Sequence, residues 1–308
     1  MPVLAFVVRR LLQGVPVLLG VSLITFILMH VVPGDPVTAA FEKRADPETI
    51  ARIRRELGLD RPLPVQYADF LVKALQGDLG RSFQTRQPVA EMIAGAMPAT
   101  MKLTLSAVVV TVAIGVPIGI LSALHRGSTV DYVAMVTALS FISAPVFWVA
   151  MVAQLLFGHR WGLLPISGFD TPLHLVLPAT VLGTRYAASV ARYTRSSMLD
   201  VIGQDFIRTA WAKGLSGRVV IFKHALKNAL IPVVTVIGME IGGLLTGSIL
   251  TESVFGIPGL GLVTIRGLST MDFPVIQATV LLTAVIFVVM NIIVDISYSL
   301  LDPRIRMS

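Results

Sequence analysis

Apolar residues in this chain gather into long unbroken runs at 11–29, 103–124, 132–157, 229–251 and 275–294, and the only charged residue in any of them is Glu240. A helix needs ~20 mostly apolar residues to cross the hydrocarbon core of a bilayer. Each run therefore predicts a membrane-spanning helix. A further run, 173–191, is long enough only with Arg185 inside it, a residue whose flexible stem carries its charge toward an interface. The pattern predicts six spans in all. The first run ends in Val32-Pro33-Gly34-Asp35 rather than a small-residue cleavage site, so it is read as a retained span and not a signal peptide.

Two polar stretches between the runs carry helical periodicity of their own. In 33–98, Asp46-Pro47-Glu48 supplies an N-cap acid and a first-turn proline, Ile50, Ile53 and Leu57 share a face, and Gly58 is the stop. A second short helix is predicted over 67–75, ending near Gly77. These amphipathic pieces read as a cap lying on the membrane surface rather than an independent domain. In 192–228, Asp205 is the predicted N-cap, Phe206, Ile207, Ala210 and Trp211 follow at helical spacing, and Gly214 marks the end. A further helix is predicted over 218–228. The apolar face of this segment has two readings, rest on the membrane surface or docking of a partner protein.

Composition sharpens the picture through the placement of charge. The chain is 55% hydrophobic and 14% charged, more apolar than a soluble domain, with a net charge of +7. Residues 1–10, 125–131, 185–228 and 302–308 together hold thirteen Lys or Arg against four acids. Such segments face the cytoplasm. The stretch 33–98 holds nine basic and nine acidic residues, and 158–172 and 252–275 hold one basic residue each, so these face outward. The alternation puts both termini in the cytoplasm. The basic excess thus records topology, and nucleic-acid binding is set aside. Cysteine is absent, which removes disulfides and thiolate metal sites.

The string Asp205-Phe206-Ile207-Arg208-Thr209-Ala210-Trp211-Ala212-Lys213-Gly214, followed by His224-Ala225-Leu226-Lys227-Asn228-Ala229-Leu230-Ile231-Pro232, resembles the cytoplasmic EAA loop of ABC import permeases. The version is that of the dipeptide, oligopeptide and nickel family, with Arg208, Thr209 and Ala210 where the general pattern has an acid and two alanines. The acid's salt bridge is therefore not carried over. The strings around Pro33-Gly34-Asp35-Pro36, Glu56-Leu57-Gly58, Gly77-Asp78-Leu79-Gly80-Arg81-Ser82, Glu252-Ser253-Val254-Phe255-Gly256-Ile257-Pro258-Gly259 and Asp302-Pro303-Arg304 are similar to the same family in order and spacing. The long outer segment resembles the B-type permease of the pair. The resemblance implies a type I ABC importer permease fold, all-α and polytopic, with six spans. It divides the chain into 1–32 (N-terminus and first span), 33–98 (extracytoplasmic cap), 99–301 (permease core, with 192–228 as coupling loop) and 302–308 (cytoplasmic tail).

It further implies a bacterial inner-membrane complex with a second, C-type permease, two ATPase subunits holding ATP and Mg, and an extracytoplasmic binding protein that delivers a peptide-like solute. Nickel chelates, glutathione and oligosaccharides are solutes of the same permease type. No Gly is followed by Lys anywhere in the chain, so a Walker A loop is absent and no ATPase activity is expected of it. The coupling-loop residues implied are Asp205, Phe206, Arg208, Thr209, Ala210, Gly214, His224, Asn228 and Pro232. Partner contact is preferred for Phe206 and Ala210, and interface anchoring stays open for Trp211.

Glu240 lies mid-run, where an ionised carboxylate is costly unless it meets water or a partner. It is read as lining a translocation path, against the alternative of a hydrogen-bonded helix contact. Asp295 and Asn291 are read as structural, with pairing to Lys or Arg, and His30 as an interface residue without a second His at ligand spacing. An intramembrane enzyme lacks its motifs here: there is no Cys, no His-Glu-x-x-His and no Gly-x-Ser-x-Gly. A stand-alone secondary transporter, expected to carry several paired titratable groups within its spans, finds only Glu240.

Overall fold

The apolar runs become helices whose ends are set mainly by proline, glycine and one buried acid. In the computed structural model, residues 3–31, 48, 55 and 60–301 are described. The Asp46-Pro47 helix start, the apolar face of Ile50, Ile53 and Leu57, and the stop at Gly58 lie outside them. The first run is α1 (Val3–Val31). Of the outward segment, α2 (Leu63–Leu75) begins after Pro62 and ends before Gly77, whose φ of +81° only glycine takes freely. The predicted helix over 67–75 thus extends one turn earlier, to just after Pro62, which is itself extended at ψ 139°.

The second run sits in a longer helix, α3 (Val89–Leu124), which starts after Pro88 and so takes in the last ten residues of 33–98. The third run is two helices, α4 (Thr129–Ser143) and α5 (Val146–Ala153), the latter continuing as a π-helical turn over Gln154–Arg160. They meet at 103°. Pro145 accounts for the break, since it bars its predecessor Ala144 from helical geometry and leaves it at φ −72°, ψ 132°. The fourth run in chain order, 173–191, lies in α6 (Leu173–Ile202), which is 30 residues long.

The loop region is α7 (Asp205–Ala212), a turn, and a π-helical stretch Val219–Ala225 that runs directly into α8 (Leu226–Gly247). The separate helix predicted over 218–228 is therefore the first part of the fifth run's helix. That run stops at Gly247, short of the predicted 251, and the chain turns into α9 (Ile249–Phe255) and α10 (Leu260–Ser269), bent by 87° to each other. The chain ends in α11 (Phe273–Leu301). Among the described residues, four helical stretches can cross a membrane by length and composition, and up to six if each bent pair counts as one span. α6 falls outside that set: His174, Arg185 and Arg192 interrupt its apolar run.

Among the described residues, the most extensive helix contact is between α3 and α6. Small residues permit it: a Cβ at Gly183 would lie 2.7 Å from the Ala107 carbonyl, and one at Gly119 would lie 2.6 Å from that of Ala191. Around this pair, Leu103, Leu182, Leu244, Phe255 and Ile257 form one core. A second core gathers Ile120, Met198, Val201, Ile207, Val220 and Ala225 at the end that carries α7.

Candidate functional site

The α7 turn takes its shape from two inward anchors and one glycine. Ile207 and Ala210, one turn apart, are buried in the core formed by α3, α6 and the start of α8. Phe206 and Trp211 point out, 41% and 50% exposed. The predicted apolar face is therefore split: half of it fastens the helix, and the other half is presented. Ala210, expected at a partner contact, belongs to the fastening half. Gly214 has φ +74°, its N–H bonds the Trp211 carbonyl at 3.0 Å, and a Cβ there would meet open space. The turn is a helix C-terminus in the left-handed conformation.

The cap at the other end differs from the sequence reading. Gln204, extended at ψ 153°, is the N-cap, and Asp205 is the first helical residue with no capping bond. Its exposed carboxylate lies where the helix dipole favours negative charge and is 3.4 Å from Arg208. Thr209 bonds back to the Asp205 carbonyl, and Asn228 to that of His224 at 2.7 Å. Asn228 and Pro232 are exposed and His224 is half-buried. The structure thus brings Phe206, Arg208, Thr209 and Trp211 to an outer surface, while Ala210 lies beneath it.

Three buried acids stand out, and none was singled out as a site from the sequence. Glu252, fully buried, accepts from Thr100 Oγ1 and Ser248 Oγ at 2.8 Å through Oε1 and from the Gly261 N–H at 2.7 Å through Oε2. Thr100 Oγ1 in turn accepts from the Leu260 N–H at 2.8 Å. The carboxyl therefore ties α9, the start of α10 and α3 together. The repeated glycines of its motif have a spatial cause, since a Cβ at Gly259 would fall 2.4 Å from Glu252 Oε2. Asp272 is buried between α10 and α11, accepting from Ser82 Oγ at 2.5 Å and the Phe83 N–H at 3.0 Å, and so docks the outer segment. Asp131 takes a two-pronged bond from Arg195, with both N–O distances 2.7 Å.

Glu240 is half-buried on α8, with Arg185, Tyr186 and Ser189 of α6 as its electrostatic neighbours. Asp295 pairs with Arg10 of α1 at 3.0 Å, and Asn291 bonds to the Phe287 carbonyl. The side chain of His30 lies outside the described residues. Near the α9–α10 hairpin a cavity of about 480 Å³ is lined by Met92, Phe169, Asp170, Pro258, Leu262 and Arg266, among others. Among the described residues, no three His, Cys, Asp or Glu side chains gather as metal ligands.

Comparison with known proteins adds an independent line. The family described as "Binding-protein-dependent transport system inner membrane component" matches residues 115–307, and its N-terminal companion matches residues 3–104. The dipeptide transport system permease protein DppB of Escherichia coli (strain K12) is 42% identical over 98% of this chain and 99% of its own. The glutathione transport system permease protein GsiC of Pectobacterium atrosepticum is 43% identical, again over 98% and 99%. Among solved structures, an inward-facing form of the MetNI methionine ABC transporter has a TM-score of 0.55 at 19% identity, covering 67% of this chain and 96% of the other. At that identity the likeness concerns the fold.

Proposed function

The chain belongs to the binding-protein-dependent transport system inner membrane components, and we propose that within this family it is the B-type permease of an ATP-driven importer, forming with a C-type permease the path for di- or oligopeptides. Its fold is all-α and polytopic, that of an ABC importer permease. The observation that carries the coupling role is the split face of α7. A short helix fastened through Ile207 and Ala210 while offering Phe206 and Trp211 outward is built to be pushed without detaching. Two cytoplasmic ATPase subunits, which hold ATP and Mg, are its proposed partners at that face. An extracytoplasmic binding protein is the proposed partner at residues 33–98, with both termini of the chain cytoplasmic.

The peptide class is supported by the full-length likeness to dipeptide permeases. Glutathione, itself a tripeptide, is the alternative that a second group of relatives supports. In this mechanism ATP binding closes the ATPase pair, α7 is displaced with it, and the bundle exchanges inward and outward openings. Glu240 is proposed to border the path, its acid offering a passing α-ammonium group a weak way-station.

The test is uptake of a labelled dipeptide by the assembly purified with its partner subunits. Gly214→Glu puts a side chain into a left-handed turn and a charge on the docking face. It is expected to abolish ATP-driven uptake while the chain still inserts. Normal uptake by that variant in an assembled complex would refute the docking role.

A further inference from the structure

α3 and α6 have little freedom to slide, because their backbones touch at Gly119 and Gly183 and Thr111 Oγ1 donates to the Gly183 carbonyl at 3.0 Å. α7 is embedded in the end of this pair through Ile207 and Ala210. These three elements therefore form one body. α4 is different. Its only buried residues are Asp131 and Ala138, and an apolar cavity of about 270 Å³ remains between it and the pair, lined by Ile118, Ala134, Phe141 and Ala187 among others. A cleft there forfeits part of the packing that would otherwise fix α4 along its length.

What fastens α4 is polar. Arg195 Nε and Nη2 donate to Asp131 Oδ1 and Oδ2, the Gly127 N–H adds a bond to Oδ2 at 2.9 Å, and Ser122 Oγ at the end of α3 donates to Oδ1. One carboxylate thus collects donors from α3, from the turn before α4 and from α6. The fork of an arginine fixes orientation as well as distance, which a single contact would not. Beyond the bend at Pro145, α4 continues into α5 and the π-helical turn. There Gln154 Nε2 donates to the Ile166 carbonyl at 2.7 Å and the Val254 carbonyl at 3.0 Å. Val254 belongs to α9, the hairpin arm that Glu252 locks.

We infer that Asp131 and Arg195 are a positioning pair for transport: they make α4 move with α7, and so carry displacement of the coupling loop through α5 and Gln154 to the α9–α10 hairpin at the opposite end of the bundle. The inference rests on the importer reading above. A chain of packed contacts is only a route until the coupling is measured, so the readout must be one that a merely structural ion pair would leave alone.

That readout is dipeptide imported per ATP hydrolysed, in proteoliposomes holding the full assembly. Asp131→Asn with Arg195→Gln removes the ionic clamp without stranding a buried charge. It is expected to leave ATP hydrolysis running while import per ATP falls at least fivefold. Gln154→Leu, which cuts the route at its far end, is expected to lower the ratio in the same direction, and the combined variant to fall no further than the lower of the two. Should the neutral pair fail to assemble, Arg195→Lys keeps the charge but loses the fork, and the same drop in ratio is expected of it. An unchanged ratio in the clamp variant that assembles, whatever its yield, overturns the inference, as does full additivity with Gln154→Leu. Absence of ATP-driven uptake by the unmodified assembly would instead overturn the importer reading.

Discussion

Removing the Glu252 carboxyl tests what holds the α9–α10 hairpin. Three donors converge on it: the Thr100 and Ser248 hydroxyls and the Gly261 N–H. Glu252→Ala leaves all three without a partner in a fully buried place. Each orphaned buried group costs ~1–3 kcal/mol, and the cavity left by the side chain adds to that. Because both hydroxyls can turn to other acceptors, the sum is about 5 kcal/mol rather than the full total. That exceeds the usual range for one substitution, roughly 0.5–3 kcal/mol. Glu252→Gln is the graded comparison. An amide donates where the carboxyl accepts, so either the Gly261 N–H or the Thr100 and Ser248 hydroxyls lose their acceptor, at about 1–3 kcal/mol.

The assay is the fraction of purified complex that survives graded heating. Survival is expected in the order native, Glu252→Gln, Glu252→Ala. Thr100→Val, which removes one donor at constant shape, is expected to cost less in the Glu252→Gln background than alone, since the two residues share a bond. Glu252→Ala surviving as well as Glu252→Gln would refute the idea that the carboxyl is the lock, and additive effects of Thr100→Val and Glu252→Gln would refute the shared bond.

Three other outcomes follow from the same structure. Asp272→Ala strands Ser82 and the Phe83 N–H and is expected to free the outer segment; faster proteolysis between residues 76 and 88, with uptake measured alongside, checks it. Gly214→Ala adds only a methyl group in open space at φ +74°, so a cost of roughly 1–2 kcal/mol and normal assembly are expected, in contrast to the uncoupling by Gly214→Glu. Glu240→Gln, nearly isosteric, is expected to leave complex yield intact while changing the rate or pH dependence of uptake. Normal uptake across pH at normal yield would remove Glu240 from the path.

What the sequence revealed was local, and what it missed was contact between distant residues. Runs without charge became helices, and Gly77 and Gly214 ended theirs as expected, because such signals act within a turn or two. The fifth run was overextended for the opposite reason. Nothing within a turn of Thr251 shows that Glu252 is drawn inward by Thr100, 152 positions earlier in the chain. Asp131 looked like one acid in a basic loop until α6 brought Arg195 beside it. Within α7, periodicity named the apolar residues but could not tell the anchoring pair from the outward pair. That distinction depends on where α3 and α6 lie. The Asp205 cap missed by one residue, since the extended backbone that defines a cap leaves no mark in residue type when Gln precedes Asp.

The two bends near Pro145 and Gly256 say which side of the chain hydrocarbon does not touch. A straight helix satisfies its own peptide groups, whereas a chain turned through 103° or 87° frees several of them. Lipid tails offer no hydrogen bonds, so broken backbone at membrane depth is tolerated only against protein or water. Gln154 answers part of that need by donating to the Val254 carbonyl near the end of α9. α5 and α9, one arm from each bent pair, pack directly against each other, so the two breaks share a flank of the bundle. On that flank the freed groups call for protein or water, and not lipid tails, as their partners.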